Sequence, residues 1–329
     1  MAAVKRNIAA GDEYDIEDCD VLIFTAIEEL EAHALDSHLA RVDAKRVEQT
    51  PAERLKDLHR WKLPVTADQP DLIVLTRCLG RAGNGFAGIE LSHLLHTQHR
   101  PRLVVFCGIG GSLDMEKAQL GNVIVSSSVH WRGFDKISGD SISEEMRKKS
   151  LEDHPVNGRL QNLISSFIKT NNGLPDSDAQ AVGLFPTTKE SGFRSSCDKW
   201  LKAAAADEDL RDDIADFRVD EYYDRVKPIV RLGKVMSWDF VLNKKSIREG
   251  VKKDDKDYFA VEMETGGMSL AVRRAREYFK DDAATEVFAV RGISDLCNKK
   301  TDDVFRELAA DHAAAFLTGF LKSGYDSGF

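Results

Sequence analysis

Short apolar runs alternate with amphipathic stretches along most of the chain. Continuous apolar runs at Val21–Thr25, 72–77 and 103–107 predict strands that are covered on both faces of a sheet. Apolar residues at helical spacing follow at about 28–39 and 86–99. Strands that alternate with helices in this way predict a sheet with helices packed on both of its faces.

The C-terminal third has the clearest strand–helix–strand pattern. It predicts a strand at 258–261, a helix at about Thr265–Phe279 and a second strand at 286–291. Ligands in open α/β sheets lie beyond the carboxyl ends of the strands. We therefore expect the functional site among the carboxylates that follow these two strands, which are Glu262, Glu264 and Asp295.

Two glycine-rich turns follow earlier strands. GIGGSL at 108–113 places three glycines in four positions, which indicates a close approach of the backbone to a ligand or to another element. LGRAGNGFAG at 79–88 opens a helix but matches neither the dinucleotide fingerprint nor a phosphate-binding P-loop. We expect no cofactor.

Three glutamates, Glu28, Glu29 and Glu31, lie at the start of the helix predicted after the first strand. Acidic residues there complement the helix dipole, an effect of about 0.3–1 kcal/mol. Alternatively, one of them is a catalytic base at the carboxyl end of a strand. Spacing alone leaves both interpretations open.

The chain is predicted to form one domain with additions. Residues 1–19 are polar and acidic and predict an N-terminal arm before a catalytic domain at 20–329. Residues at about 132–228 mix charged residues with Ser, Gly and Asn, and we expect them to form an insertion on that domain. Within the insertion, helices are predicted at 158–170 and at about 199–207.

Composition and charge limit the classes of binding partner that the chain is expected to have. The 329 residues are 42 % hydrophobic and carry a net charge of −9, which disfavours nucleic acid or an anionic membrane as the main partner. No apolar run approaches the roughly 20 residues of a membrane span, and the N-terminus lacks the apolar core of a signal peptide. The five cysteines have neither paired nor metal-type spacing. We expect a cytoplasmic protein with free thiols and no metal site.

Four sequence motifs occur in the order typical of one enzyme group: FTAIEEL at 24–30, GIGGSL at 108–113, VEMET at 261–265 and RGISD at 291–295. MSWDFVLN at 236–243 is similar to a fifth segment of that group. The chain resembles the nucleoside phosphorylase/nucleosidase superfamily, and most of all its methylthioadenosine/S-adenosylhomocysteine nucleosidase branch. The resemblance implies a three-layer α/β/α domain with a central mixed sheet.

The resemblance also implies roles at the base and the sugar. Asp295 matches the acid that protonates the purine N7, and we expect it to be buried. Ser294 matches the residue that orients this carboxyl. Glu264 matches the glutamate that binds the ribose hydroxyls, and Met263 matches the methionine that packs against the sugar. Alternation along an extended segment is expected to point Glu262 away from Glu264.

The remaining implied roles concern the backbone and the attacking water. Gly108, Gly110 and Gly111 match the turn beneath the ribose and the base. Val241 and Leu242 match the backbone that binds the purine edge. The glutamate that activates water is either Glu29 or Glu31, because the acidic run here differs in length from that of the family.

These roles imply hydrolysis of the N-glycosidic bond of a purine nucleoside or nucleotide. The Gly-Asp-Pro-type loop of the phosphorylases is absent after Thr25, which favours hydrolysis over phosphorolysis. The alternatives are a purine nucleoside phosphorylase and a catalytically inactive nucleotide-sensing module. The resemblance further implies a small-molecule partner and a homo-oligomer of at least two chains.

We expect the insertion to lie near the 5′ end of the substrate, because it begins directly after the strand that follows GIGGSL. Its cations could neutralise a 5′-phosphate, or they are ordinary surface charges. The cations concerned are Arg132, Lys136, Lys189, Arg194 and Lys199, interleaved with Phe185 and Phe193. The long insertion resembles that of defence-effector members of the superfamily, which implies adenine nucleotides as substrates and nucleotide depletion in antiviral defence.

Overall fold

The structure is a computed structural model. It describes residues 19–50, 53–54, 56–65, 70–96, 101–132, 137–138, 141–142, 151–173, 191–211, 214, 229–280, 285–298 and 303–323. The predicted N-terminal arm lies outside these residues, apart from Cys19. Within the described part of the chain, none of the helices has the length and apolar character of a membrane span.

Five of the strands in the described residues coincide with strands that the sequence predicts. The described strands are β1 (Val21–Thr25), β2 (Lys45–Arg46), β3 (His59–Leu63), β4 (Leu72–Cys78), β5 (Leu103–Ser112), β6 (Val123–Arg132), β7 (Ile137–Ser138), β8 (Ser141–Ile142), β9 (Leu151–Pro155), β10 (Val230–Trp238), β11 (Tyr258–Glu262) and β12 (Glu286–Asp295).

The α-helices lie between these strands and at the end of the chain. They are α1 (His33–Arg41), α2 (Asn84–His96), α3 (Gly158–Gly173), α4 (Ser191–Ala206), α5 (Glu208–Arg211), α6 (Lys245–Asp254), α7 (Thr265–Phe279) and α8 (Arg306–Lys322). A π-helical turn, Glu28–Ala32, precedes α1, and a short 3-10 turn, Asp303–Phe305, precedes α8.

The central sheet is mixed, as predicted. β1 pairs in parallel with β4 on one side and with β5 on the other. β5 pairs in parallel with β12, which runs antiparallel to β6. β6 continues in parallel to β10 and β10 to β11, while β3 and β2 extend the opposite edge in antiparallel fashion. Parallel neighbours place the carboxyl ends of β1, β5 and β12 at one edge of the sheet.

One pairing closes part of this sheet into a ring. β11 pairs with β10 and also, antiparallel, with β5, where Ala260 lies opposite Ser112 and Val261 lies opposite Gly111. The strands approach closely at Gly110, where a Cβ would lie 2.9 Å from the carbonyl oxygen of Val261. The closure brings VEMET beside GIGGSL and so joins two of the sequence motifs.

Helices cover both faces of the sheet and confirm the three-layer α/β/α architecture. Along β1, Val21 and Ile23 point into a cluster completed by α1, α3 and α8. Leu22 and Phe24 point into a second cluster, completed by α2 and α7. Each such fully buried side chain contributes about 1.5–3 kcal/mol, so a strand covered on both faces is firmly held.

The described parts of the predicted insertion pack into the core. β9 pairs antiparallel with β6 and widens the sheet. Leu160 and Ile164 of α3 belong to the same apolar cluster as β1. On α4, the ring of Trp200 packs edge-on against Phe305 with ring centroids 5.1 Å apart. Residues 151–173 therefore pack directly onto the central sheet and its apolar cluster.

The predicted and observed boundaries of the elements differ most next to the sequence motifs. β12 continues past residue 291, so Ser294 and Asp295 belong to the strand and do not follow it. β11 likewise includes Glu262. The helix predicted at 28–39 begins as the π-helical turn and becomes an α-helix only at His33. The predicted helix Thr265–Phe279 is confirmed at both ends.

Candidate active site

A cavity of about 270 Å³ opens at the strand ends of β1, β5, β11 and β12. We call its buried wall the floor; it contains Glu31, Glu262, Glu264 and Gly110. We call its more exposed wall the mouth. The mouth consists of Ala82, Phe240, Val241, Asn243, Asp295 and the partly exposed Arg306.

The π-helical turn after β1 brings Glu31 into the floor. The Ala32 N–H donates to the Ile27 carbonyl five residues earlier, at 3.1 Å, which widens the turn relative to an α-helix. The Glu31 carboxylate accepts the N–H of Ala26 at 2.7 Å and that of Ile27 at 3.1 Å. It also accepts the Ile109 N–H at 2.8 Å, so β1 and β5 hold it from two sides.

The same turn leaves Glu29 exposed and not among the described residues that line the cavity. A π-helical turn inserts one residue into the helical count, which explains why regular spacing left the choice between Glu29 and Glu31 open. The structure places Glu31 in the cavity.

Arg291 links the floor to β12. Its buried guanidinium donates to Glu262 and, at 3.0 Å, to Glu264. The guanidinium also lies over the ring of Phe106, 4.2 Å from the centroid. Burial alone would lower the pKa of Arg291, but the surrounding glutamates outweigh that effect and raise it. This cation therefore stays charged and compensates the acidic floor.

Three buried carboxyl groups surround this guanidinium, and burial raises the pKa of two of them. Burial raises the pKa of Glu264 to about 8, with Arg291 opposing the shift and the neighbouring glutamates adding to it. Burial also raises the pKa of Glu31, against the charge of Arg291 and three backbone N–H groups. Burial therefore favours the protonated forms of these two floor carboxyl groups relative to those of exposed glutamates.

The prediction that Glu262 points away from Glu264 is wrong. The strand ends at Glu262 and α7 begins at Thr265, so the alternation of an extended segment does not continue to Glu264. The Glu262 carboxylate accepts the N–H of Glu264 at 3.1 Å and the N–H and hydroxyl of Thr265 at 3.0 and 2.7 Å. Glu262 thus satisfies the first N–H groups of α7 and binds Arg291 at the same time.

Gly108 lies directly behind the floor. A Cβ there would overlap the Glu31 carboxylate and lie 2.9 Å from Nη1 of Arg291. Gly111 lines the cavity, and a Cβ on it would overlap the thiol of Cys297. Both glycines therefore provide the space in which functional side chains meet, which explains the close approach predicted for the GIGGSL turn.

Asp295 lies at the mouth and is held by neighbours in sequence. Ser294 Oγ donates to one carboxylate oxygen at 3.1 Å, and the Cys297 N–H donates to the other at 2.9 Å. Cys297 adopts a left-handed backbone conformation with φ of 51°, which turns its N–H back toward the carboxylate. The expected burial of Asp295 is wrong, because the residue is exposed at the mouth of the cavity.

The segment after β10 forms the other side of the mouth. Val241 is 67 % exposed and Leu242 is buried in an apolar cluster with Trp238 and Ile247. Leu242 therefore anchors a backbone segment whose neighbouring residues face the cavity. Met263 also lines the wall, between the two glutamates of VEMET.

Most of the predicted site residues meet at this cavity. Those that line it are Glu31, Gly110, Gly111, Val241, Leu242, Met263, Glu264, Ser294 and Asp295. Gly108 lies behind the wall and Glu29 on the surface. The structure shows where these residues lie, and their catalytic roles remain predictions.

Sequence reasoning assigned no role to Arg291 and too small a role to Glu262. A signal for Arg291 was present, because an arginine inside the apolar run of β12 must find a buried counter-charge. The sequence does not say which acid supplies it. Among the described residues, no group of three or more His, Cys, Asp or Glu side chains is arranged to hold a metal ion.

Comparisons with known proteins agree with this geometry at the level of the fold. No protein-family model matches the chain, and no curated protein matches it in sequence. Solved structures do match. The 5′-methylthioadenosine/S-adenosylhomocysteine nucleosidase of Neisseria meningitidis, in complex with methylthio-immucillin-A, aligns with a TM-score of 0.53 at 13 % identity, covering 94 % of this chain and 100 % of that one.

Two further structures agree. The S-adenosylhomocysteine nucleosidase of Streptococcus pyogenes aligns with a TM-score of 0.55 at 14 % identity, covering 93 % of this chain and 98 % of that one. Futalosine hydrolase of Helicobacter pylori aligns with a TM-score of 0.50 at 17 % identity, covering 91 % and 96 %. The chain has the nucleoside phosphorylase-like fold. At these identities the likeness establishes the fold, and the neighbours with this fold are nucleosidases that cleave N-glycosidic bonds.

Proposed function

We propose that the protein hydrolyses the N-glycosidic bond of a purine nucleoside or nucleotide, with adenine as the expected base. The observation that carries this proposal is that Glu31, Glu264 and Asp295, from three separate elements, line one cavity. In the proposed reaction Asp295 protonates the base, Glu31 activates water and Glu264 holds the ribose.

The chemistry requires two carboxyl groups in opposite protonation states. Asp295 donates its proton to the purine N7 while the bond between sugar and base breaks and its electron pair leaves with the base. Water adds to the anomeric carbon and gives a proton to ionised Glu31. Solvent then restores both groups, so the net reaction is hydrolysis. Proton transfer by a positioned carboxyl is worth roughly 10²–10⁴-fold in rate.

Glu31 suits the role of base because it is both fixed and basic. Three backbone N–H groups orient its carboxylate, so little reorganisation is needed when water approaches. Burial raises its pKa, which makes the ionised form a stronger base than an exposed glutamate.

Glu264 suits the sugar because it is deep in the cavity. Its backbone neighbours are the N–H groups of Gly83, at 3.3 Å, and Met263, at 3.4 Å. Burial raises the pKa of Glu264 to about 8, which favours the protonated carboxyl, and that form can donate a hydrogen bond to a ribose hydroxyl.

The test incubates the protein with adenosine, AMP, ATP or methylthioadenosine, in buffer with and without inorganic phosphate. Chromatography then measures the released base and the sugar product. We expect free adenine and a free sugar product in both buffers. A sugar 1-phosphate formed only with phosphate would indicate a phosphorylase. No release from any of the four would contradict the proposed hydrolysis and leave a binding module.

Other expectations from the resemblance also belong to this proposal. They are a homo-oligomer of at least two chains, a cytoplasmic location and a role in nucleotide depletion during antiviral defence. Light scattering of the purified chain tests the first, and nucleotide pools measured in cells that express the chain or its Asp295→Asn variant test the last.

A further inference from the structure

The two oxygens of the Asp295 carboxylate have different surroundings. Oδ1 accepts the N–H of Cys297 at 2.9 Å, and Oδ2 lies 3.1 Å from the hydroxyl oxygen of Ser294. The same hydroxyl lies 3.3 Å from the carbonyl oxygen of Gly110. A hydroxyl donates a single hydrogen, so Ser294 donates either to Oδ2 or to Gly110 at any one time.

The thiol of Cys297 lies on the Oδ1 side of this carboxylate. Gly111 faces both groups, because a Cβ on it would overlap Sγ of Cys297 and lie 3.0 Å from Oδ1 of Asp295. Burial raises the pKa of the thiol well above its usual value, and the charge of Asp295 and a hydrogen bond between the two side chains add to the shift, against the charge of Arg248. The thiol therefore stays protonated and donates to the carboxylate.

The backbone conformation of Cys297 brings its N–H and its thiol to the same oxygen. Among the described residues, four residues other than glycine have a positive φ, and of these four only Cys297 lines the cavity. Such a conformation is uncommon for a residue with a side chain and persists where the surrounding structure holds it. The side chain of Cys297 is held in an apolar cluster that also contains Leu242 and Val261. Cys297 therefore anchors the end of β12, and with it Asp295, to the cavity wall.

We propose that Cys297 is a positioning residue for the acid of the reaction: it holds Oδ1 of Asp295, so that Oδ2 carries the proton that goes to the base. This inference rests on the proposed function, in which Asp295 protonates the purine. Two donors directed at Oδ1 favour its unprotonated state, whereas the single donor to Oδ2 has a second acceptor to which it can turn.

The proton passes through the carboxyl group in two states. When Oδ2 carries the proton, the Ser294 hydroxyl donates to the Gly110 carbonyl, and Oδ2–H donates to the purine N7. The proton moves from Oδ2 to N7 while the bond between sugar and base breaks and its electron pair leaves with the base. Ser294 then donates to the ionised Oδ2 until solvent restores the proton. Cys297 keeps Oδ1 in place throughout.

The described cations of the predicted insertion take no part in this arrangement. Arg132 is buried, with its guanidinium 5.2 Å from the ring centroid of Trp238 and 3.8 Å from Asp254. Lys199 is exposed on α4 and does not belong to the described cavity wall. Lys136, Lys189 and Phe185, and the side chains of Phe193 and Arg194, lie outside the described residues, so the role expected for them at the 5′ end stays a prediction.

The kinetic test replaces the thiol in two ways. In Cys297→Ala, kcat for adenine release from adenosine should fall roughly 3- to 10-fold, the range for loss of one hydrogen bond. KM should change by no more than about twofold, because the proton is transferred only in the transition state. Cys297→Ser keeps a donor at the same place and should restore most of the lost rate. Cys19→Ala is the matched control, because Cys19 is a buried cysteine outside the described cavity wall.

A second substrate separates positioning of the acid from damage to the fold. The 4-nitrophenolate ion leaves without being protonated, so hydrolysis of 4-nitrophenyl β-D-riboside needs no general acid. We expect Cys297→Ala to slow adenine release without a matching loss of nitrophenolate release. A change that merely distorted the cavity would slow both reactions.

The outcomes distinguish the inference from the proposed function. An unchanged kcat for adenosine in Cys297→Ala, equal losses in Cys297→Ala and Cys297→Ser, or an equal loss with the riboside would each overturn the inference and leave the proposed hydrolysis intact. If the unchanged protein does not hydrolyse the riboside, the comparison of the two Cys297 variants decides. If the unchanged protein releases no adenine, the proposed function fails and the inference fails with it.

Discussion

The floor and the mouth of the cavity are built in opposite ways. On the floor, Glu31, Glu262 and Glu264 surround the buried guanidinium of Arg291. These groups come from the π-helical turn after β1, from β11, from the residue before α7 and from β12, so each depends on the position of the others. At the mouth, Asp295 is exposed and is held by Ser294 and Cys297, its neighbours along the chain.

Because of this difference, substitutions in the two regions should affect the stability of the fold and the rate of the reaction differently. A buried charge network is costly to break, because removing one partner leaves the others uncompensated. An exposed carboxylate held by a local turn can change without disturbing the fold. We therefore expect substitutions on the floor to affect both stability and rate, and substitutions at the mouth to affect rate alone.

The largest expected effect is at the mouth. Asp295→Asn should lower kcat roughly 10²–10⁴-fold, because an amide cannot deliver a proton to N7. Its free energy of unfolding should stay within about 0.5 kcal/mol of the unchanged protein. Steady-state adenine release and urea unfolding measure the two quantities. Asp239→Asn, in the same region but not in the described wall, is the control; near-normal kcat in Asp295→Asn would remove Asp295 from the mechanism.

Next in size is the central cation of the floor. Arg291→Met should lower the free energy of unfolding by about 3–5 kcal/mol, because Glu262 and Glu264 lose their counter-charge while still buried. Urea unfolding measures the loss, and exposed Arg274→Met is the control. A loss below about 1 kcal/mol, the size of a surface ion pair, would mean that the floor is not a coupled network.

Substitutions of the two candidate bases, Glu31 and Glu29, should differ clearly in their effect on kcat. Glu31→Gln should lower kcat about 10²-fold or more, because the amide cannot accept the proton of water. Glu29→Gln should change kcat by no more than about twofold, since an exposed surface carboxylate has no part in the chemistry. Parallel assays of the two variants decide the matter. Equal effects would show that water is activated elsewhere.

The pH dependence of stability also separates the floor from the mouth. The pKa of Glu264 rises from 4.5 to about 8 on folding, so the folded protein binds this proton more tightly. The contribution to stability is therefore full below about pH 4.5 and is lost as the pH rises through about 8. Unfolding free energies across that range should fall with pH, and less steeply in Glu264→Gln. Exposed Glu277→Gln is the control, and a slope unchanged by Glu264→Gln would mean that Glu264 does not cause the pH dependence.

Local patterns accounted for the strands, the main helices and most of the residues around the cavity. The helix Thr265–Phe279 was predicted at both ends because its apolar periodicity starts and stops in the sequence itself. Asp295 and Ser294 were placed together because they are adjacent. In contrast, the burial of Asp295 was wrong, since exposure depends on which elements surround the end of β12.

The amino-acid sequence by itself determined the alternation of strands and helices, the two apolar faces of β1 and the motifs that meet at the cavity. The tertiary structure decided the rest. The pairing of β11 with β5 joins residues far apart in the chain, and no local period encodes such a contact. The π-helical turn that selects Glu31 over Glu29 is a one-residue departure from regular spacing. The role of Arg291 and the raised pKa of Glu264 follow from burial and from charges brought together only by folding, so they exist only in the folded protein.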